Sequence, residues 1–511
     1  MSFRMNMTHV MVPAGVTKMG VFCMPAFVTN ERSGARLRFR RGSARRMGSA
    51  GRARPNSTTV VRGVVVLVLL IAAVCRSVDP AQATTVAAQP ADSVWADFDG
   101  DGFVDLAVGV PDESVAGSDG AGMVNVLYGG SGGLTSRDQV WHQDSAGVKG
   151  VAEPGDRFGA SVAAGDFDGD GRADLAVGVP EESVAGSDGA GMVNVLYGGS
   201  GGLTSRDQVW HQDSVGILGG VEAFDFFGHA VAAGDFDGDG RADLAVGVPQ
   251  ESIGAVEFAG MVNVLYGGSG GLTSRDQVWH QDSPGIQDAA ETEDEFGWSL
   301  ADGDFDGDGR ADLAIGVPFE SVSVSGVGVG SVDVLYGGPG GLTSRDQVWH
   351  QDSPGIKGVA EFPDLFGWSV AAGDFDGDGR ADLAVGVPNE SLSGVERAGM
   401  VNVLYGGSGG LTSRDQVWHQ GSAGILGGVE AGDRFGESVA AGDFDGDGRA
   451  DLAAGVPAES VGGSNSAGMV NVLYGGSGGL TSRDQVWHQD SAGVKGVAEP
   501  GDRFGESVGA G

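Results

Sequence analysis

The sequence predicts an all-β chain, a β-propeller of four-stranded blades, with six blades favoured and seven as the alternative. Three observations carry this. One string, Asp-Phe-Asp-Gly-Asp-Gly, recurs at a near-constant period through the chain. Each period holds four short strand-like stretches and no 3.6-residue apolar stripe. Strong turn chemistry separates those stretches.

The string begins at Asp97, Asp166, Asp235, Asp304, Asp374 and Asp443, with spacings of 69, 69, 69, 70 and 69. The units are therefore 97–165, 166–234, 235–303, 304–373, 374–442 and 443–511, and a seventh copy would start one residue past Gly511. A fixed period of this length signals a solenoid, a propeller or a bead array. A linear β-solenoid is the competing reading, but its coils are usually shorter than these units.

Within the second unit the expected strands are Ser161–Gly165, Leu175–Val179, Met192–Tyr197 and Gln208–His211. Small residues alternate with large ones in Leu-Ala-Val-Gly-Val, as close sheet packing requires, and four short strands per unit suit a propeller blade. The terminal stretch Phe504–Gly511 reads as a first strand, so it is expected to complete the first blade and close a six-bladed ring. Ser93–Ala96 could take that place instead, which would leave 504–511 to begin a seventh blade.

Composition sets the class of partner. The 511 residues carry a formal charge of −38, which argues against nucleic acid and anionic membrane surfaces. The 95 Gly and 17 Pro make 112 of 511 residues, and 41% hydrophobic content still allows a core. Residues 1–83 differ from the rest, with 13 Lys and Arg against two acids, Glu31 and Asp79. Their apolar run, Gly63–Val74, is too short to span a bilayer, and Ala81-Gln82-Ala83 is the kind of triplet that signal peptidase cuts. The expectation is a basic leader and signal peptide over 1–83, cleavage near Ala83, and a short linker or first strand over 84–96. A short membrane anchor and a lipid anchor at Cys75 are the weaker readings. Without the leader, 18 basic and 67 acidic side chains leave a charge of −49 and no cysteine. Something other than disulfides then has to stabilise an exported chain.

The aspartate loop supplies a candidate. In the second unit Asp166, Asp168, Asp170 and Asp174 stand at positions 1, 3, 5 and 9, Gly171 at 6, and Arg172 at 7. Four anions in nine residues repel one another unless a cation sits among them, and hard carboxylate oxygens suit Ca²⁺. The carbonyl at position 7 would complete the ring. The same set is Asp97, Asp99, Asp101, Phe103 and Asp105 in the first unit, and Asp235, Asp237, Asp239, Arg241 and Asp243 in the third. It continues as Asp304, Asp306, Asp308, Arg310 and Asp312, then Asp374, Asp376, Asp378, Arg380 and Asp382. Asp443, Asp445, Asp447, Arg449 and Asp451 close the series, so up to six Ca²⁺ are expected. The pattern is similar to the first half of an EF-hand loop, but it ends on Asp at position 9 and leads into a strand.

The run from Arg157-Phe158-Gly159 through this loop to Gly178-Val179-Pro180 resembles the FG-GAP repeat. That repeat builds the integrin α-subunit propeller and the non-catalytic part of glycosylphosphatidylinositol phospholipase D. The resemblance covers 97–511. It implies a propeller with Ca²⁺ in the hairpin loops between the first two strands of a blade, and family propellers typically have seven blades. It does not extend to integrin thigh or phospholipase regions, so adhesion and lipase activities are not carried over whole.

Signals of catalysis read better as architecture. Gly129-Gly-Ser131-Gly-Gly133 fits a nucleophile elbow, but it joins strand to strand and its fourth copy has Pro339. His142, His211, His280, His350, His419 and His488 recur once per unit beside Trp, as packing residues would. Recurrent pairs such as Glu153/Asp156 and Glu430/Asp433 favour a structural role, and 291–295 reads as a solvated acidic loop. No catalysis is expected, and the enzyme alternative is an extracellular hydrolase or lyase of glycans or lipids.

Antiparallel order puts the Asp loops and Gly-Gly-Ser-Gly-Gly turns on one end of the blades. The second-to-third loops and inter-blade connections fall on the other, and there the units differ, at Ser252–Phe258, Gln287–Glu295, Glu320–Gly330, Leu392–Arg397 and Val461–Ser466. The residue after Phe-Gly differs too: Ala160, His229, Trp298, Trp368, Glu437 and Glu506. Exposed Trp298 and Trp368 would suit a sugar or a protein. The expectation is a secreted, monomeric, calcium-binding adhesion module for an extracellular protein or glycan, with a surface spacer lacking any ligand as a further alternative.

Overall fold

The structure, a computed structural model, describes residues 96–322 and 328–509. The leader, Cys75, the cleavage triplet at Ala83 and most of 84–96 lie outside the described residues.

The described chain forms six antiparallel sheets arranged as a β-propeller. In the second blade the strands are Val162–Gly165, Asp174–Val179, Met192–Leu196 and Asp207–Trp210, hydrogen-bonded in that order. Blades spanning 231–279, 299–349, 369–418 and 439–487 repeat this plan. The first strands of successive blades lie against one another from the second blade to the sixth.

The alternation in Leu-Ala-Val-Gly-Val explains how blades stack. Leu175, Val177 and Val179 pack on Val124, Val126 and Tyr128 of the blade before. Ala176, on the other face, joins the cluster with Leu244, Val246 and Val248 of the blade after. Gly178 has to be small, because a Cβ there would lie 2.1 Å from the Gly228 carbonyl oxygen. Large residues therefore face backwards and small ones forwards, and each fully buried Leu or Val contributes about 1.5–3 kcal/mol.

The first blade departs from the plan. It has three described strands, Leu106–Val110, Met123–Leu127 and Asp138–Trp141. Leu106–Val110 pairs with Met123–Leu127 alone, and residues 504–509 form no strand, so the expected closing strand is not made among the described residues. Inner strands elsewhere are held by a hairpin with the second strand of their own blade, and 504–509 shares none with Leu106–Val110. Phe504 instead packs on Val470 and Tyr474, and Ser438 Oγ donates to the Gly505 carbonyl at 2.9 Å. Ser369 makes the same bond to Gly436 at 3.0 Å. The Phe-Gly at 504–505 thus sits against the sixth blade as each Phe-Gly sits against the blade preceding it.

Candidate functional site

Each Asp loop is wound around its first carboxylate. Asp166 Oδ1 accepts from the amides of Gly169 (2.8 Å) and Asp170 (3.0 Å), and Oδ2 accepts from Gly171 (2.8 Å). Gly169 and Gly171 adopt φ of +73° and +87°, a region that side chains strain to reach, and this turns their amides inward. Asp168 Oδ1 accepts from the Asp170 amide at 3.1 Å. Asp170 accepts from the Arg172 amide at 3.0 Å, and its other oxygen pairs with the Arg172 guanidinium at 3.0 Å. Asp174, on the second strand, accepts from the amides of Phe167 (3.0 Å) and Gly198 (2.9 Å).

The loops bring together the acids that the sequence singles out, in two patterns. Carboxylate oxygens of Asp97, Asp99 and Asp105, and of Asp166, Asp168 and Asp174, lie within 4.8 Å of one another. In the third and fourth loops the groups are Asp235, Asp237 and Asp239, and Asp304, Asp306 and Asp308. Burial pushes Asp174 up to about 7 against the pull of the Gly198 amide, with Asp168 adding to the rise. Asp243, Asp312 and Asp382 are pushed up to about 8 in the same way, and Asp105 and Asp451 to about 6. A cation at these oxygens would reverse that shift. At position 7 the side chains of Arg172, Arg241, Arg310, Arg380 and Arg449 pair with the Asp two residues before.

An arginine that the sequence argument overlooked closes each loop. Arg137, Arg206, Arg275, Arg345, Arg414 and Arg483 meet Asp99, Asp168, Asp237, Asp306, Asp376 and Asp445. Each guanidinium also lies over a tyrosine, at 3.6–3.8 Å from the ring centroids of Tyr128, Tyr197, Tyr266, Tyr336, Tyr405 and Tyr474. The repulsion among the four acids is thus offset in part by loop amides and arginine. The sequence carries this arginine in every Thr-Ser-Arg-Asp, outside the acidic string.

The loops also tie blades together. Asp97 O accepts from Ala173 N at 3.1 Å, and Asp166 O accepts from Ala242 N at 3.1 Å. Whatever orders one loop therefore bears on the blade that follows.

At the other end the second-to-third loops meet the inter-blade connections, as Phe158 N donating to Ala121 O at 2.9 Å illustrates. Only the second half of each connection lies there, which corrects the simple two-ended picture. The first half runs along the junction: at Gly216 a Cβ would lie 2.8 Å from Ser274, and the Leu218 amide donates to Asp276 at 2.7 Å. Trp298 and Trp368 are half-buried rather than freely exposed. They pack on each other at 4.8 Å between centroids, with His229 4.6 Å from Trp298 and Phe319 at 5.8 Å. Burial and the charge of Arg157 hold the His229 imidazole down to about 4. Glu437 pairs with Arg434 at 2.9 Å and Arg503 at 3.6 Å. The acidic segment 291–295 is not simply solvated, because Asp294 is buried and accepts from the Glu291 amide. Its pair matches Glu153/Asp156, where the Glu153 amide likewise donates to Asp156. Gly199–Gly202 closes a tight turn between third and fourth strands through a 2.8 Å bond.

The FG-GAP repeat family matches residues 90–127, 158–196, 227–265, 296–335, 366–404 and 435–473. The chain carries six FG-GAP repeats. Each of the last five matches begins at the Phe of a Phe-Gly and takes in the first strand, the Asp loop and the second and third strands of a blade. Among curated proteins, phosphatidylinositol-glycan-specific phospholipase D of Rattus norvegicus is 38% identical over 170 residues, 33% of this chain and 19% of that protein. Integrin alpha-PS2 of Drosophila melanogaster is 29% identical over 269 residues, 50% of this chain and 17% of that protein. Integrin alpha-5 of Xenopus laevis is 33% identical over 235 residues, covering 45% and 20%. This FG-GAP chain therefore spans about a fifth of the length of the curated relatives it matches. Among solved structures, rhamnogalacturonan lyase YesW shares 14% identity at a TM-score of 0.36, over 77% of this chain and 70% of that one.

Proposed function

We propose that this FG-GAP protein is an exported, calcium-binding propeller that acts as a monomeric binding module for an extracellular protein or glycan. The observation that carries the reading is the unlike aromatic cluster at one end of near-identical blades. His229, Trp298 and Trp368 occupy equivalent positions of three consecutive blades, and they and Phe319 form one contiguous group. A pair of packed indoles, tilted at 45° to each other, is a surface suited to a sugar face or an apolar side chain. Phe224 (42% exposed) and Phe362 (67%) lie on connections leading to the same end, in keeping with a docking surface.

The Asp loops then serve as scaffold. Asp166, Asp168, Asp170 and Asp174, with the Arg172 carbonyl, and their counterparts in the other five loops would hold one Ca²⁺ each. Residues 1–83 would be removed near Ala83, and 97–511 would form the working domain.

A glycan array and a pull-down from extracellular material test this, with Trp298→Ala/Trp368→Ala as the comparison. The expected result is a ligand retained by the wild type and lost by the double variant, whose melting transition stays cooperative. A ligand held equally by both would move the site off this end. No ligand in either assay would support the spacer reading.

A further inference from the structure

One junction breaks the repeat in a coordinated way. Where the second, third, fifth and sixth blades carry Met-Val-Asn-Val-Leu, the fourth carries Ser331-Val-Asp333-Val-Leu335. In the connection leading to it, Asp288 stands where Gly150, Gly219, Gly358 and Gly427 stand elsewhere. These positions meet in space. At Gly358 a Cβ would lie 2.9 Å from Gln351 Nε2 and 3.1 Å from the Met400 methyl. By this correspondence Asp288 stands beside the position where Met gives way to Ser331.

The change at Asp333 removes a donor. In the other junctions the asparagine donates to the connection and to the outer strand: Asn263 Nδ2 reaches Leu218 O (2.9 Å) and Asp276 (3.0 Å). Asn402 does the same to Lys357 O at 2.9 Å and Asp415 at 3.3 Å. Asp333 in its ionised form offers acceptors to acceptors. It is 0% exposed, and neither carboxylate oxygen has a hydrogen-bond partner. Ser331 Oγ, on the same face of the strand, is likewise buried and unpartnered.

The surroundings are acidic. Asp288, Glu320, Asp346 and Asp294 are the charges that bear on Asp333. Oxygens of Glu291, Asp294 and Glu320 lie within 4.8 Å of one another, and Asp294 and Glu320 are 1% and 3% exposed. Two oxygens on one Ca²⁺ at about 2.4 Å are no further apart than about 4.8 Å. The position after Ile286 is Gln287, where two other junctions have Lys149 and Lys357. Among the described residues no ion pair reaches any of these carboxylates. Among the described residues the one donor to the Glu320 carboxylate is Gln281 Nε2, at 2.5 Å. Burying several carboxylates together without a counter-charge is costly.

We propose that the junction between the third and fourth blades holds a divalent cation, separate from the Asp loops, bound by Glu291, Asp294 and Glu320. Asp288 and Asp333 add their negative charge to the same junction. Hard carboxylate oxygens drawn from two separate segments, without a fixed octahedral set, favour Ca²⁺ over the smaller, octahedral Mg²⁺.

The test restores the repeat. In Asp288→Gly/Asp333→Asn both residues become those that the other junctions carry, so the variant is expected to fold. Equilibrium dialysis with radiolabelled Ca²⁺, run at saturation on the full chain, is expected to show one ion fewer per chain than wild type. That difference holds whether the Asp loops bind six ions or none, so failure of the loop reading and failure of this one are distinguishable. Glu320→Gln is expected to lose the same single ion. Equal stoichiometry in wild type and both variants would overturn the proposal, and would mean that Asp333 is protonated and donates as the asparagines do.

Discussion

The Leu272 amide of the third blade donates to the Tyr197 hydroxyl of the second at 3.0 Å, across a buried junction. The same bond recurs from Leu203 to Tyr128, Leu342 to Tyr266, Leu411 to Tyr336 and Leu480 to Tyr405. Tyr474 makes no such bond among the described residues. Tyr197→Phe leaves a buried amide unsatisfied and is expected to cost about 1–3 kcal/mol, whereas Tyr474→Phe costs less than about 0.5 kcal/mol. Urea melts of the two variants check this, and equal losses would contradict it.

The glycine beside that tyrosine is equally constrained. Gly271 has φ of +96°, and a Cβ on it would lie 1.9 Å from the Tyr197 hydroxyl, while nothing lies within 4 Å of one on Gly270. Gly271→Ala is expected to destabilise by about 3 kcal/mol or more and Gly270→Ala by less than about 1 kcal/mol. Thermal melts separate the pair, and a mild Gly271→Ala would mean that the junction gives way.

Calcium at the Asp loops predicts a large chelation effect. With a Kd of roughly 0.1 mM per loop and about 1 mM free Ca²⁺, one site adds about 1.4 kcal/mol and six add on the order of 8 kcal/mol. The melting temperature is expected to fall steeply in excess EDTA and to recover on adding Ca²⁺. An unchanged melt would refute the loops as calcium sites.

A pH dependence follows from the junction glutamates. Glu251, 6% exposed, is pushed by burial up to about 7 from 4.5, against the pull of the Gln212 amide. Its folded value lies above its unfolded one, so its contribution is full below 4.5 and is lost as pH rises through 7. Glu251→Gln, which mimics the protonated form, is expected to be more stable than wild type at pH 8 by on the order of 1–2 kcal/mol. The difference should vanish near pH 4. A gap of the same size at both ends of the range would remove Glu251 as its source.

Much of the fold was legible because the repeat samples its own constraints six times. Alternation and turn residues placed the second blade's strands within a residue or two of their observed ends, since period-two patterning and glycine turns are local properties. The aspartate loops were legible for the same reason. The arginine closing each loop was not, because Arg206 and Asp168 are 38 residues apart and meet only when the blade folds. Nor was the meaning of 291–295, where Asp288, Asp333 and Glu320 come from three different segments.

The sequence by itself determined the blade, its four strands, its acidic loops and which positions depart from the repeat. Tertiary structure alone decided what those departures touch. It packed Trp298 against Trp368, left Asp333 without a donor and set Phe504–Gly505 against the sixth blade. The physical reason is range: hydrogen-bonded strands and turns are specified by neighbours in the chain, whereas desolvation and charge balance at a junction depend on side chains that only packing brings together.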